Sequence, residues 1–199
     1  LNLLPKETDI NPLMADAKTQ LHAEADYCME AAYVEQFAEL VGSDKRFKVP
    51  EITEDLTTAE VLTMRFLDGD PIETVADKEH ALRDRTAAHL LELALHEVLN
   101  WGLVQTDPNF ANFRYDKQTT KIQLLDFGAT REYSEETREA FRSLVHAGIE
   151  GTDADLIHQA ARVGYITESD PTEYQQGMLS LLRAATEPAL RVAWRTRRA

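Results

Sequence analysis

The chain has 199 residues, 43% of them hydrophobic and 28% charged, which is enough for one domain with a sizeable core and carries no signature of disorder. Its 35 acidic against 21 basic residues give a formal net charge of -14, a field that repels a phosphate backbone, so nucleic acid is excluded as an expected partner. One cysteine, Cys28, excludes an internal disulfide framework and is expected to be a small buried residue in a reducing compartment.

In chain order, Leu1 to Asn11 lacks a basic stretch followed by an apolar one, so no secretion signal is expected, and no run approaches the roughly 18 apolar residues of a spanning helix. Met14 to Leu40 reads as a long, alanine-rich helix closed by Gly42. Val49 to Ile52 is an extended entry, and Val61 to Leu67 is expected as a strand ending in a turn at Asp68-Gly69-Asp70-Pro71. Lys78 to Trp101 follows as a helix whose Leu82, Leu90, Leu91, Leu93, Ala94, Leu95 and Val98 form a broad apolar surface expected in a core. Phe113 to Tyr115 and Ile122 to Leu125, separated by a polar turn at Asp116-Lys117-Gln118, predict a hairpin. Helices are then expected near Ser134 to Gly148, Asp153 to Val163 and Pro171 to Ala185. An early helix, a short strand region and several later helices fit an α+β fold.

The chemistry concentrates around the hairpin. Gln105-Thr106-Asp107-Pro108-Asn109-Phe110-Ala111-Asn112 precedes it, and Leu125-Asp126-Phe127-Gly128 follows. An aspartate, an asparagine five positions on and an Asp-Phe-Gly nineteen positions after that aspartate reproduce the order of a phosphoryl-transfer catalytic loop and its metal-binding segment. Asp107 suits the acid that accepts or orients the proton of an attacking hydroxyl, while Asn112 and Asp126 suit magnesium held against nucleotide phosphates. One carboxylate and one amide oxygen suffice there, because magnesium keeps several waters and takes phosphate oxygens. The hairpin would bring Asn112 and Asp126 to one end of two paired strands.

The chain resembles the UbiB/AarF family of atypical kinases, the group that includes coenzyme Q biosynthesis kinase-like proteins. Four segments carry the likeness: Glu24-Ala25-Asp26 with Tyr27 and Glu30, Leu62 to Pro71, Gln105 to Phe113, and Leu124 to Arg131. Gln-Thr-Asp-Pro-Asn, in place of the usual His-Arg-Asp, is the most diagnostic. The resemblance covers roughly Leu21 to Ile166 and implies a protein-kinase-like fold, mainly the α-rich C-lobe at 68–199 with a partial N-lobe at 1–67. It implies ATP and Mg2+ as cofactors, with Glu24 pairing the nucleotide-site lysine and Asp26 and Glu30 as further acids of the nucleotide site. On a helix Asp26 and Glu30 share a face, an unfavourable pair by roughly 0.2 to 0.5 kcal/mol unless a cation lies between them.

The family's Lys-x-Gly-Gln motif and its nucleotide lysine precede the Glu-x-Asp segment. Leu1 to Gln20 holds only Lys6 and Lys18 and no glycine, so the chain, which does not start with methionine, reads as a fragment lacking the nucleotide cover. Only about seven residues separate the Asp-Phe-Gly from the next helix, and no Ala-Pro-Glu follows, so a peptide platform is not expected. The implied activity is ATP hydrolysis or small-molecule or lipid phosphotransfer supporting ubiquinone biosynthesis. The implied partners are a nucleotide, a lipid or quinone precursor, ubiquinone-biosynthesis proteins and a membrane surface. The expected location is bacterial cytoplasm, peripheral to the inner membrane, or the mitochondrial matrix side in a eukaryote. Arg191 to Arg198, with Trp194, suits anionic headgroups, but so short a segment reads more readily as an exposed helix end or an accidental stop.

Two other classes stay open: a pseudokinase-like scaffold that binds nucleotide or lipid and acts through partners, and an antibiotic or choline kinase-like phosphotransferase, against which the Glu-x-Asp helix argues. His22, His80, His89, His96, His146 and His158 show no metal-ligand spacing, and Trp101 is expected to pack under the catalytic loop rather than touch a ligand.

Overall fold

The computed structural model describes residues 26–167 and 169–196, with side chains up to Glu187. It forms two compact units, one of Leu1–Asp77 with Gln105–Thr130 and the other of Lys78–Val104 with Arg131–Ala199. The expected helix from Met14 is therefore described only in its second half, and Glu24 and His22 lie outside the described residues.

In the first unit, helix α1 (Tyr27–Val41) begins at Asp26, whose carboxylate accepts the Cys28 N–H at 3.0 Å. It ends at Gly42, where a φ of +49° suits a residue without a side chain. Ala31, Val34, Phe37 and Val41 are buried, one stripe at helical spacing. That stripe starts about one turn after Cys28, so the thiol is exposed and the expectation of a buried cysteine is corrected.

A four-stranded sheet packs in the same unit. Strand β1 (Phe47–Lys48) pairs in parallel with β5 (Lys121–Leu124), β5 pairs antiparallel with β4 (Phe113–Asp116), and β4 pairs antiparallel with β2 (Asp70–Pro71). No strand forms over 61–67. Residues 51–53 and 63–65 instead meet through two backbone bonds, Thr53 N–H to Thr63 O and Arg65 N–H to Glu51 O, each 2.8 Å, and an isolated bridge at Ile52 and Met64. A local alternation of apolar residues makes a strand only where a partner is offered, and β4 offers its edge to Asp70 and Pro71, inside the expected turn.

The β4–β5 hairpin turns on Asp116. Its carboxylate accepts the N–H groups of Gln118 (2.8 Å) and Thr119 (3.2 Å) and the Thr119 hydroxyl (2.5 Å). The hydroxyl chiefly holds the Asp116 carboxyl below its ordinary pKa. The turn forces Thr120 to a φ of +59°, a conformation unfavourable for a β-branched residue. Thr120→Gly is expected to raise unfolding free energy by about 1 kcal/mol in urea titration. No gain would mean the turn relaxes at no cost.

In the second unit, α2 (His80–His96) continues into a π-helical turn, Glu97–Trp101, closed by the Gly102 N–H on Glu97 O at 2.8 Å. Only Thr86 and Leu93 of α2 are buried; Leu82, Leu90, Leu91, Leu95 and Val98 are half-buried, so the broad core surface is narrower than its composition suggests. Trp101 stacks on His96, with centroids 5.7 Å apart. The freed carbonyls of Leu99 and Asn100 receive Arg142 Nε (2.7 Å) and Arg138 Nη1 (2.6 Å) from α3 (Glu135–Glu150), whose first half is therefore tied to the turn.

Helix α3 starts at the cap Ser134, and α4 (Asp153–Val163) at a Thr152–Asp155 capping box. With α5 (Thr172–Thr196) they bury Leu144, Ala147, Leu156, Ala160, Ile166 and Leu182. At Gly148 a Cβ would lie 2.6 Å from the Thr186 side chain, so α3 and α5 need glycine there. Helix α5 runs beyond the expected end at Ala185 despite Pro188: the N–H that proline lacks would have bonded Ala184, an exposed residue where water can substitute. Among the described residues no helix is long and apolar enough to cross a membrane.

Candidate functional site

Strand β3 (Leu103–Gln105) leads into the 105–112 segment, which belongs to the first unit. Gln105 Nε2 donates to the Asp126 carbonyl, and Thr106 gives both its N–H (3.2 Å) and its hydroxyl (2.6 Å) to the Ala129 carbonyl. The 105–107 and 126–129 segments are therefore stitched together before any ligand is considered. Asn109 caps a short 3-10 turn, Phe110–Asn112, by accepting the Ala111 N–H at 3.0 Å. That turn buries Asn112, whose Nδ2 donates to the Asp107 carbonyl at 3.3 Å. Leu125 N–H then bonds Asn112 O at 3.0 Å, extending the hairpin and holding both ends of the expected metal-binding pair side by side.

Asp126 is exposed, and its Oδ1 accepts the Gly128 N–H at 3.0 Å. Phe127 turns the other way, 1% exposed, with its ring 4.8 Å from that of Phe37 on α1. The Phe127 N–H donates to Glu30 Oε1 at 3.3 Å, so α1 grips the Asp-Phe-Gly through one aromatic contact and one hydrogen bond.

A cleft of about 380 Å³ opens here, lined by Tyr27 and Glu30 of α1, by Thr106 and Asp107, and by Asp126, Gly128 and Ala129. Asp107, Asp126 and Glu30 thus share one cleft. Asn112 sits behind it and is not part of the lining. Asp26 caps α1 rather than lining the cleft, so it does not act as a pair with Glu30. Tyr27, Thr106, Gly128 and Ala129 complete the wall without having been singled out as site residues; each stands within three positions of one that was, inside a segment that carries the family likeness.

Among the described residues the lining carries three carboxyls, those of Glu30, Asp107 and Asp126, and no Lys, Arg or His. Burial raises the Glu30 pKa above the ordinary carboxylate range, the Phe127 N–H pulls it partly back, and the Asp126 charge pushes it up again. The folded state therefore binds this proton more tightly than the unfolded chain does. Ionised Glu30 costs stability above its folded-state pKa, and the cost fades as pH falls through that value toward the ordinary one. Glu30→Gln, which keeps an acceptor for Phe127, is expected to melt a few degrees above the parent near pH 7, with the gap closing toward about pH 4 in calorimetry. A constant gap would remove charge as the cause.

Among the described residues no three His, Cys, Asp or Glu side chains gather into a self-sufficient metal cage. Hard carboxylate oxygens lining one cleft fit a divalent cation of the magnesium type, whose shell waters and phosphate would complete.

Residues 1–161 match the model of the ABC1 atypical kinase-like domain. The chain belongs to this family. It is 29% identical over 187 residues to the atypical kinase COQ8, mitochondrial, of Saccharomyces cerevisiae, a match covering 94% of this chain and 37% of that protein. It is 34% identical over 148 residues to the atypical kinase COQ8B, mitochondrial, of Danio rerio, covering 74% and 24% respectively. The chain thus spans well under half the length of these curated relatives. The solved structure of Rv3197 with erythromycin, from Mycobacterium tuberculosis, superposes with a TM-score of 0.71 at 21% identity over 93% of this chain and 46% of that one, a likeness of fold. The α+β, kinase-like fold that the resemblance implied is the fold this family match and structural likeness support.

Proposed function

We propose that the protein is an atypical kinase or ATPase acting on a magnesium-bound nucleotide in the Asp107–Asp126 cleft. The observation that supports this most is the placing of both carboxylates, with Glu30, on one cleft by hydrogen bonds that tie 105–107 to 126–129. Asp126 and Asn112 would hold magnesium, and Glu30, with Glu24 and Asp26 as further acids of the same sequence motif, would serve the nucleotide site, as the family resemblance implies. Bound magnesium supplies charge neutralisation on the phosphates. Asp107, exposed at the cleft mouth, accepts or orients the proton of an attacking water or hydroxyl, and the low-charge wall formed by Ala129 and Gly128 leaves room for phosphate oxygens. The acceptor we infer is water or a small, lipid-coupled molecule in ubiquinone biosynthesis, as the coenzyme Q kinase-like relatives suggest, with a peripheral membrane location. The test is magnesium-dependent ATP turnover by the full-length protein; no binding and no turnover above the blank would overturn the proposal.

One observation favours a pseudokinase-like scaffold instead. The Asn112 amide is buried, with its Nδ2 on the Asp107 carbonyl, and it is not among the residues lining the cleft in this arrangement. On that reading nucleotide binds and no phosphate is released, which the same assay separates.

A further inference from the structure

The β4–β5 hairpin makes a second set of contacts, on the face opposite its buried Phe113, Tyr115, Ile122 and Leu124 side chains. Arg114 and Gln123 stand directly opposite each other in the ladder. Arg114 Nη1 donates to the Gly69 carbonyl at 2.7 Å, and Gln123 Nε2 donates to the Asp68 carbonyl at 3.1 Å. Two adjacent side chains of the hairpin thus hold two adjacent carbonyls of the segment that leads into β2.

The fit around this grip is tight. A Cβ at Gly69 would lie 2.6 Å from Gln123 Oε1 and 3.2 Å from Arg114 Cβ, so the backbone approaches as closely as only glycine allows. Gln123 is 1% exposed, and among the described residues its Oε1 meets no hydrogen-bond donor. A buried, half-satisfied amide in the centre of a sheet is costly where an apolar residue would pack, so stability alone does not account for it. The position of the pair accounts for it better. Arg114 and Gln123 lie one step from the ladder's end at Phe113 and Leu124, beyond which the chain runs directly into Asn112 on one strand and Leu125-Asp126 on the other.

We propose that Arg114 and Gln123 are positioning residues, which latch the Asp68–Gly69 segment to the hairpin and thereby fix the placement of Asn112 and Asp126 for a magnesium-bound nucleotide. This rests on the nucleotide reading of the cleft. The latch acts on ligand placement: it touches no cleft-lining side chain, and its loss lets the hairpin end shift while the core below it stays packed.

The test uses steady-state turnover of Mg·ATP and thermal melting of the full-length protein for Arg114→Met, Arg114→Lys and Gln123→Met, with Asp126→Asn alongside. Losing one such hydrogen bond is expected to raise KM for Mg·ATP by about 5- to 10-fold in Arg114→Met and Gln123→Met, with kcat within about twofold. Arg114→Lys, which retains one donor for Gly69, restores most of the loss. Melting temperatures are expected to stay close to the parent, and Gln123→Met to equal or exceed it. A KM within twofold of the parent in both Met variants, or losses in KM and kcat that follow melting temperature across the three variants, would overturn the latch. If Gln123→Met does not fold, Arg114→Met against Arg114→Lys decides the matter alone. Should Asp126→Asn also leave Mg·ATP turnover untouched, the nucleotide reading itself falls; a large effect there with none at the latch sinks only the latch.

Discussion

Asp126→Asn is expected to lower magnesium-dependent ATP turnover by about 10²- to 10³-fold while leaving the protein folded. The substitution keeps the shape and the acceptor that receives the Gly128 N–H at 3.0 Å, and removes only the charge. In a cleft shared with Asp107 and Glu30 that loss relieves repulsion, so thermal stability should hold or rise slightly as catalysis falls. Asp107→Asn should differ in kind. Magnesium and nucleotide still bind, but the proton acceptor is gone, and turnover falls by about 10²- to 10⁴-fold with little change in KM. Equal turnover in the parent and Asp126→Asn would remove Asp126 as a metal ligand. A rise in KM alone for Asp107→Asn would remove its role as base.

Phe37→Ala should cost about 3–5 kcal/mol of unfolding free energy in urea titration, a large share of the roughly 5–15 kcal/mol that holds a typical domain together. Phe37 has no solvent exposure, and its ring lies 4.8 Å from that of Phe127, so truncation opens a cavity at the contact between α1 and the Asp-Phe-Gly. The same cavity loosens the segment whose N–H reaches Glu30, and the variant's remaining activity should fall further than its folded fraction. Phe37→Leu fills part of the space and should lose less of both. A Phe37→Ala cost below about 1 kcal/mol would show that this contact collapses without penalty.

The hairpin and its flanking acids were legible because turn chemistry is local: Asp116 organises its turn through three bonds to Gln118 and Thr119. The capped starts at Ser134 and Thr152 were legible for the same reason. The stretch at 61–67 was not, since whether an extended segment becomes a strand depends on a partner far away in sequence, here β4 for Asp70 and Pro71. Cys28 was misread because a buried stripe has a start as well as a period. At the site, Asp107, Asn112 and Asp126 announce themselves by order and spacing. Glu30 appears in sequence as one acid among several, and only the packing of Phe37 on Phe127 selects it for the cleft while Asp26 caps the helix.

The sheet that carries the hairpin is edged by β1 and β2, each two residues long, one ending in Lys48 and the other in Pro71. Edges this short offer a stray strand too few unpaired amides to grow on, and proline withholds one of those. The central strands can therefore be rich in β-branched and aromatic residues, including Ile122, Phe113 and Tyr115, without becoming a template for fibrils. Replacing Pro71 with valine would remove that guard, and light scattering on storage is expected to rise relative to the parent.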